Sequence, residues 1–478
     1  MKEALLIILI KEKIMISKKP KIGLLTGAYF EYWKMYPGLD KKVERDMKKL
    51  SERLSKRVDV VWSGMADTLE KTEEAGRKFK KEDIDLLVIC EGTYFPDYMP
   101  IQTMEYLPDV PVLILLTQPQ DTIPLDMDYQ GSITHSFGLV GVVQLTGAFS
   151  KMGKKFEIII GALDDDSICE GVEQYARVVS VKKRLRFLRL GIVGHTFQGM
   201  YDLELDKTRL KSQIGPSVIY IEMAELLSIW KDIQKTETGK LADEMMAKYK
   251  IDGPDKRDIE NACQLSLAMQ KLVERYNLDG FSHLCQFLIH VETKTTPCLA
   301  TARLIQNGIM TTCEGDIGNL VAMCILHLLS GSTVFCGEWG MYDVKENAML
   351  IFHHGAGNPE LAKDPSAVNI TPTGEKWGFE GKGASFRFMG KPGEVTITSL
   401  IHDREGWRML ISGGEAIDAP CRPTYSDQFM IRVNQPVKEY LEQLCRHGVT
   451  HHVVLCYGNI KKELGQLADL LGIRKFIL

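Results

Sequence analysis

The last third of the chain gathers four segments rich in groups that bind cations or move protons. Thr312-Cys313-Glu314-Gly315-Asp316 stands between two apolar runs, and Val334-Phe335-Cys336-Gly337-Glu338-Trp339-Gly340 sets one acid between glycines. Phe352-His353-His354-Gly355 and Thr450-His451-His452-Val453 each carry two adjacent histidines in a strand-like run. Carboxylates combined with imidazole, with room left for water, suit Mn²⁺, Co²⁺ or Mg²⁺ in near-octahedral geometry. The chain has no CxxC pair, which argues against structural zinc, and neither HExxH nor a P-loop occurs. Gly194-His195-Thr196-Phe197-Gln198-Gly199 follows a strand-like run but lacks the dinucleotide spacing.

Each residue also has a plainer reading. Glu314 fits the acid favoured at a helix N-terminus. Glu338 fits a solvated turn, and a lone strand histidine is more often structural. Side chains alternate along a strand, so one histidine of each pair is expected to face a shared site while its neighbour faces away. That rule points to His452 facing inward and His451 outward. The two acids and two histidine pairs together make the case for Glu314, Glu338, His353 and His452 around one cation.

These residues need elements to position them. Ile22–Leu25, Val58–Val61, Leu86–Cys90 and Val112–Leu116 have the pattern of buried parallel strands. The charged segments 41–57 and 67–81 between them have the pattern of crossover helices. The alternation restarts after the basic stretch 182–189, which is read as a solvated domain junction. Strands are then expected at 190–193, 218–221, 280–285 and 308–312, with helices at 240–248 and 258–276. Carboxyl ends of such strands are where open α/β sheets bind ligands, which would aim Glu314 into a crevice. From about Thr333 the texture changes to short strands with Gly, Pro and Asp turns, the pattern of an antiparallel sheet or barrel. A strand at 452–457 and an end helix are expected to close the chain. The expectation is two Rossmann-like α/β domains, 1–180 and 181–332, and a C-terminal antiparallel β-barrel-like domain, 333–478.

A length of 478 residues exceeds one ordinary core and fits about three domains. A formal net charge of −4 gives no electrostatic case for nucleic acid or an anionic membrane, and a small neutral ligand suits it better. The 11 cysteines, several within apolar runs (Cys90, Cys285, Cys324), are expected to be free thiols in a reducing cytoplasm. The apolar run Ala4–Ile10 is too short to span a bilayer, and no small-residue cleavage site follows it.

The chain resembles the L-fucose/L-arabinose isomerase superfamily. Cys313-Glu314-Gly315-Asp316, with Glu338 further on, resembles the acidic metal ligands of both families. Phe352-His353-His354-Gly355 is similar to a fucose isomerase segment and matches the first metal-site histidine of arabinose isomerases. His451-His452-Val453-Val454-Leu455-Cys456-Tyr457-Gly458 resembles the C-terminal histidine pair of both. Leu116-Thr117-Gln118, Ile123-Pro124, Asp126-Met127-Asp128-Tyr129 and His135 are similar to the arabinose isomerase N-terminal domain, and Thr26-Gly27 fits that branch. The segment 194–200 looks more like the fucose branch. Where arabinose isomerases carry Asn-Gln-Ser-Ala-His, this chain has Gly131-Ser132-Ile133-Thr134-His135, a departure that bears on the choice of sugar.

The resemblance implies a metal-dependent aldose–ketose isomerase of a pentose or 6-deoxyhexose, working through an enediolate. Glu314, Glu338 and His452 would be ligands, His353 a ligand or substrate contact, and Gln118, His135 and His451 substrate contacts. Glu314 and Glu338 would move the proton between C2 and C1 while the cation polarises the carbonyl. The resemblance also implies a cytoplasmic homo-trimer or homo-hexamer, a neighbour's N-terminal domain closing each site. A non-catalytic sugar-binding or regulatory protein on the same scaffold, and a metal-dependent lyase or epimerase, are the alternatives.

Overall fold

Runs of β-branched and aliphatic residues set the strands. The computed structural model describes residues 19–123, 125–127, 133–285, 288–373, 383–423 and 426–478. The run Ala4–Ile10 lies outside them, as do Pro124, Asp128, Tyr129, Gly131 and Ser132. The chain divides into two units, Ser17–Ser180 and one containing Val181–Leu478.

The first unit holds five parallel strands: β1 (Lys21–Gly27), β2 (Asp59–Ala66), β3 (Leu86–Glu91), β4 (Val112–Gln118) and β5 (Glu157–Ala162). They lie in the order β2-β1-β3-β4-β5. Helices such as Leu39–Ser55 and Leu69–Lys81 connect them, burying Val43, Met47, Leu50 and Phe79. β3 is buried at every position, as a central strand covered on both faces must be. β5 is an edge strand with Ile160 exposed, so its Ile158–Ile160 run lacks the flanking pattern of a buried strand. The basic stretch resolves into chemistry: Lys182, Lys183 and Arg184 occupy the last turn of helix Asp166–Leu185, where the helix dipole favours cations.

The second unit opens with β6 (Arg189–Val193), β7 (Ser217–Ile221), the short β8 (Lys250–Ile251), β9 (Gly280–His283) and β10 (Met310–Cys313). Four of these form a parallel sheet in the order β10-β9-β6-β7. Then come β11 (Val334–Asp343), β12 (Ala348–His353), β13 (Asn369–Thr371), β14 (Ser385–Met389), β15 (Gly393–Asp403), β16 (Gly406–Ala416), β17 (Asp427–Arg432), β18 (His452–Tyr457) and β19 (Arg474–Ile477). They make a ten-stranded sheet, β19-β16-β15-β18-β11-β12-β17-β14-β13-β8, with β16 also paired to β17. This sheet is mixed: β14–β17, β13–β8 and β16–β19 run parallel. The end helix Lys461–Leu471 does not close the chain, because β19 follows it and adds to β16. Among the described residues, no helix is long and apolar enough to cross a membrane.

Helix Ile317–Ser330 joins the parallel sheet to the mixed one. Every residue from Ile317 to Leu326 is buried, and it packs on β9, β10, β11, β15 and β18. A helix apolar on all sides belongs in a core, and this one fixes the turn before it.

Glu91, at the carboxyl end of β3, is 2% exposed, and its Oε1 has no hydrogen-bond partner. Its Oε2 accepts from the Phe95 amide at 3.2 Å. Burial raises its pKa well above 4.5, so the folded unit holds a proton there that the unfolded chain releases. Stability therefore falls as pH rises above about 4.5. Glu91→Gln should stabilise this unit by about 1–3 kcal/mol at pH 8. The gain should vanish near pH 4, as read by urea unfolding of the full chain. A gain independent of pH would show that Glu91 is charged in the folded state.

Candidate metal centre

The centre begins at the turn between β10 and helix Ile317–Ser330. Glu314 and Gly315 both have positive φ, 62° and 73°. A non-glycine residue in the left-handed region is uncommon and mildly strained, and such strain concentrates at functional sites. Gly315 has no alternative: a Cβ there would lie 2.6 Å from the His195 carbonyl oxygen and from Thr196 Cα. The loop 194–200 thus lies against the turn, and the Phe197 amide donates to the Glu314 carbonyl at 3.0 Å.

Asp316 is the helix N-cap, its Oδ1 accepting from the Asn319 amide at 2.8 Å. Its Oδ2 accepts from Asn319 Nδ2 at 2.8 Å and from His452 Nδ1 at 2.9 Å. A buried carboxylate can only accept, so His452 Nδ1 donates its proton there and Nε2 is the nitrogen whose lone pair a cation would take. That Nε2 is buried without a hydrogen-bond partner and lies 3.5 Å from Glu314 Oε2. Asn319, Thr450 and Ser399, all buried, brace the arrangement from the helix, the approach to β18 and β15.

His451 lies 3.3 Å from Glu314 through Nε2 and 2.6 Å from Asp202 through Nδ1. Burial alone would lower its pKa, but Glu314 and Asp202 outweigh burial and hold it at about 9. The expectation that His451 faces away is corrected. β18 begins only at His452, so strand alternation does not govern the preceding residue. Ligand atoms of Glu314, His451 and His452 all lie within 4.8 Å of one another.

His353 lies at the end of β12. Burial, then His452, lowers its pKa well below 6.5, so it is a neutral imidazole. Its ring is 5.7 Å from that of His452, and its Nε2 is 3.1 Å from Cys313 Sγ. Its amide donates to buried Asp427, whose carboxyl is pushed up to about 7 by burial. Glu338 is not in that group of ligand atoms. It does not end its strand, because β11 continues to Asp343. Its flanking glycines admit close neighbours, since a Cβ on Gly337 would lie 2.5 Å from the Phe335 ring and one on Gly340 2.5 Å from the Phe352 ring. Glu338 stands directly opposite His452 in the β11–β18 register. The two side chains therefore leave the same face of the sheet, with Glu338 Oε1 4.0 Å from His354 Nε2.

Gln118 and His135 belong to the first unit. Gln118 is the exposed last residue of β4. His135 is 5% exposed, with Nε2 2.9 Å from Asp46. It borders a cavity of about 410 Å³ lined also by Lys42, Asp46, Lys49, Gln120 and Asp164. Thr26 and Gly27 are structural: Thr26 Oγ1 donates to the Gly64 carbonyl, and a Cβ on Gly27 would lie 2.1 Å from the Phe95 ring.

Sequence reasoning assigned no role to Asp316, Asp202, Cys313 or His354. For Asp316 a signal existed, an Asp before an apolar helix with Asn three residues on. For Asp202, in the short turn Tyr201–Leu203, the sequence carries none.

Residues 194–331 match the model of the L-arabinose isomerase central domain, and residues 335–477 that of the L-fucose isomerase C-terminal domain. The chain belongs to the L-fucose/L-arabinose isomerase superfamily. Glu314 lies within the first match and His451 and His452 within the second. Relatives include the sulfoquinovose isomerase of Alkalicoccus urumqiensis, 24% identical over 66% of this chain and 71% of that one. The sulfoquinovose isomerase of Priestia aryabhattai is 25% identical over 66% and 70%. The L-arabinose isomerase of Serratia proteamaculans is 24% identical over 69% and 67%.

The His451 arrangement has a measurable signature. In chelator-treated protein, its ring resonance should titrate near 9 in NMR spectra. Asp202→Asn should lower that value by about one unit or more. Because the folded value exceeds 6.5, the associated stability is complete below pH 6.5 and lost as pH rises through about 9. Titration near 6.5 in both proteins would mean that neither carboxylate holds the ring.

Proposed function

We propose that this protein is a metal-dependent aldose–ketose isomerase acting on a pentose or 6-deoxyhexose. One observation carries the metal: His452 Nε2, fully buried and unpartnered, faces the Glu314 carboxylate while Asp316 orients the ring from behind. Carboxylate–histidine support of this kind is what metal-binding imidazoles use. Glu314, His451 and His452 would hold the ion, Mn²⁺ or Co²⁺ before Mg²⁺, because imidazole suits the transition metals. When bound, the cation would polarise the sugar carbonyl and stabilise negative charge on adjacent oxygens.

The chain's own groups supply the rest. Glu338 is half-buried and shares a face with His452, so it can take the C2 proton and return it at C1. Glu314, bracketed by the two imidazoles, would serve the ion instead. His353, a neutral imidazole, is suited to a ligand or hydroxyl contact. Several relatives bear the name sulfoquinovose isomerase, and a sulfonated 6-deoxyhexose belongs among the candidate substrates.

The same reading supports a domain division at residues 180 and 332. It also supports a barrel-like C-terminal domain, since pairing β16 with β17 makes β16-β15-β18-β11-β12-β17 a circuit of antiparallel strands. A cytoplasmic trimer or hexamer, with Gln118 and His135 contacting sugar in a neighbour's site, completes the proposal. Sedimentation of the purified protein tests the assembly, and a monomer would remove that role from Gln118 and His135.

Incubation with pentoses, 6-deoxyhexoses and sulfoquinovose in the presence of Mn²⁺ should yield a ketose detectable by NMR. Chelation should abolish the reaction and added Mn²⁺ restore it. Full activity of the metal-free protein would falsify the mechanism. Glu338→Gln should lower kcat by about 10²–10⁴-fold with bound metal retained. Glu314→Gln should lose metal and activity together. Near-normal turnover in either variant would return that acid to a structural role.

A further inference from the structure

The first unit carries a charged cavity of about 410 Å³ where β4 and β5 end, at Pro119, Gln120, Leu163 and Asp164. Carboxyl ends of parallel strands are where open α/β sheets take ligands. Another wall is helix Leu39–Ser55. Lys42, Arg45, Asp46 and Lys49 recur there at helical spacing beside its buried stripe Val43, Met47 and Leu50. Arg53 on the same helix donates to the Leu163 and Asp164 carbonyls and to the Asp166 carboxylate, which ties the two walls together.

The charges in the cavity are not equivalent. Lys49 is paired with Asp164 at 2.6 Å. Asp46 accepts from His135 Nε2 at 2.9 Å, and Arg45 Nε comes only to 3.8 Å from its other oxygen. Lys42 has no ion-pair partner among the described residues. Lys42 and Arg45, one helical turn apart, are therefore two exposed cations still open to an anion. Burial, then Lys42, lowers the His135 pKa, so the ring is neutral and its Nδ1 can accept from a hydroxyl. Asp126 and Gln120 add further groups that pair with hydroxyls.

We infer that this cavity takes an anionic sugar, its sulfonate or phosphate held by Lys42 and Arg45 and its hydroxyls by His135, Gln120 and Asp126. The inference rests on the reading of His135 as a sugar contact in an aldose–ketose isomerase. A bare inorganic anion would leave most of the 410 Å³ unfilled and would meet Asp46 and Asp126 at close range. A sugar suits a cavity of this size, and its length separates its charge from those carboxylates. Arginine offers a planar fork to an oxyanion and lysine a point charge, and hydrogen bonds to ionised groups are the stronger kind. The charge then sits at the end of the sugar remote from the carbonyl, so holding it does not compete with chemistry at C1 and C2.

Calorimetry of chelator-treated full-length protein can compare sulfoquinovose, glucose 6-phosphate and 6-deoxyglucose, which differ at carbon 6. At least one charged sugar should bind about 10–100-fold more tightly than 6-deoxyglucose. Lys42→Gln and Arg45→Gln should each reduce that preference about tenfold. Lys48→Gln, on the same helix and outside the cavity, should keep it. The tighter of the two charged sugars identifies the source of the anion. Equal binding of charged and neutral sugars, or an equal loss in Lys48→Gln, overturns the inference. Ketose formation with Mn²⁺ is read separately. Ketose from a neutral sugar, without any preference for charge, overturns the cavity's role and leaves the isomerase reading standing. A preference that depends on Lys42 and Arg45, without ketose from any sugar, overturns the isomerase reading and leaves the cavity as a site for anionic sugars.

Discussion

The centre depends on one hydrogen bond, from His452 Nδ1 to Asp316. Asp316 caps the buried helix Ile317–Ser330, so its carboxylate is held by the Asn319 amide and side chain before it meets the histidine. The helix is anchored by packing on both sheets of its unit. The direction of the His452 lone pair is therefore set by the core. A ring oriented by a surface side chain would carry rotamer freedom into the site. This one is oriented by groups that cannot move without opening the helix N-terminus.

Electrostatics then decides what the lone pair faces. Glu314 is forced toward it by a left-handed turn that only glycine at 315 can continue, because the loop 194–200 occupies the space of a side chain. Without a cation the carboxylate is partly neutralised by protonated His451, which Asp202 holds in turn. The order of groups, Asp202, His451, Glu314, then His452 Nε2, stores a binding position for positive charge without leaving a buried anion uncompensated. Asp202 lies far from Glu314 in sequence, and this chain of charges is the reason it belongs to the site.

The glycines on β11 show how packing changes the meaning of a residue. Read along the chain, Gly337 and Gly340 around Glu338 signal a turn. In the sheet they let Phe335 and Phe352 press against the strand. Strand pairing then carries Glu338 to the position across from His452. An acid that a turn would have left in solvent shares a face with His452.

Much of this was legible in the sequence. The strands of the first sheet, the restart after residue 180 and the shift to short strands near 333 follow from period and composition. The acids and histidines stood out because such groups are rarely set into apolar runs without a use. What the sequence could not carry was the choice among neighbours. Cys313 against Glu314, His451 against His452 and His353 against His354 are adjacent pairs, and the choice turns on where a strand begins or ends and on the left-handed turn at Glu314. The residue that orients the centre, Asp316, looked locally like a helix cap and nothing more. Its second role exists because β18 runs past that cap, 136 residues further along the chain. Local pattern determines which elements form and which residues are candidates. Only the crossing of distant strands and helices decides which atoms meet, because that is fixed by the burial of the whole unit.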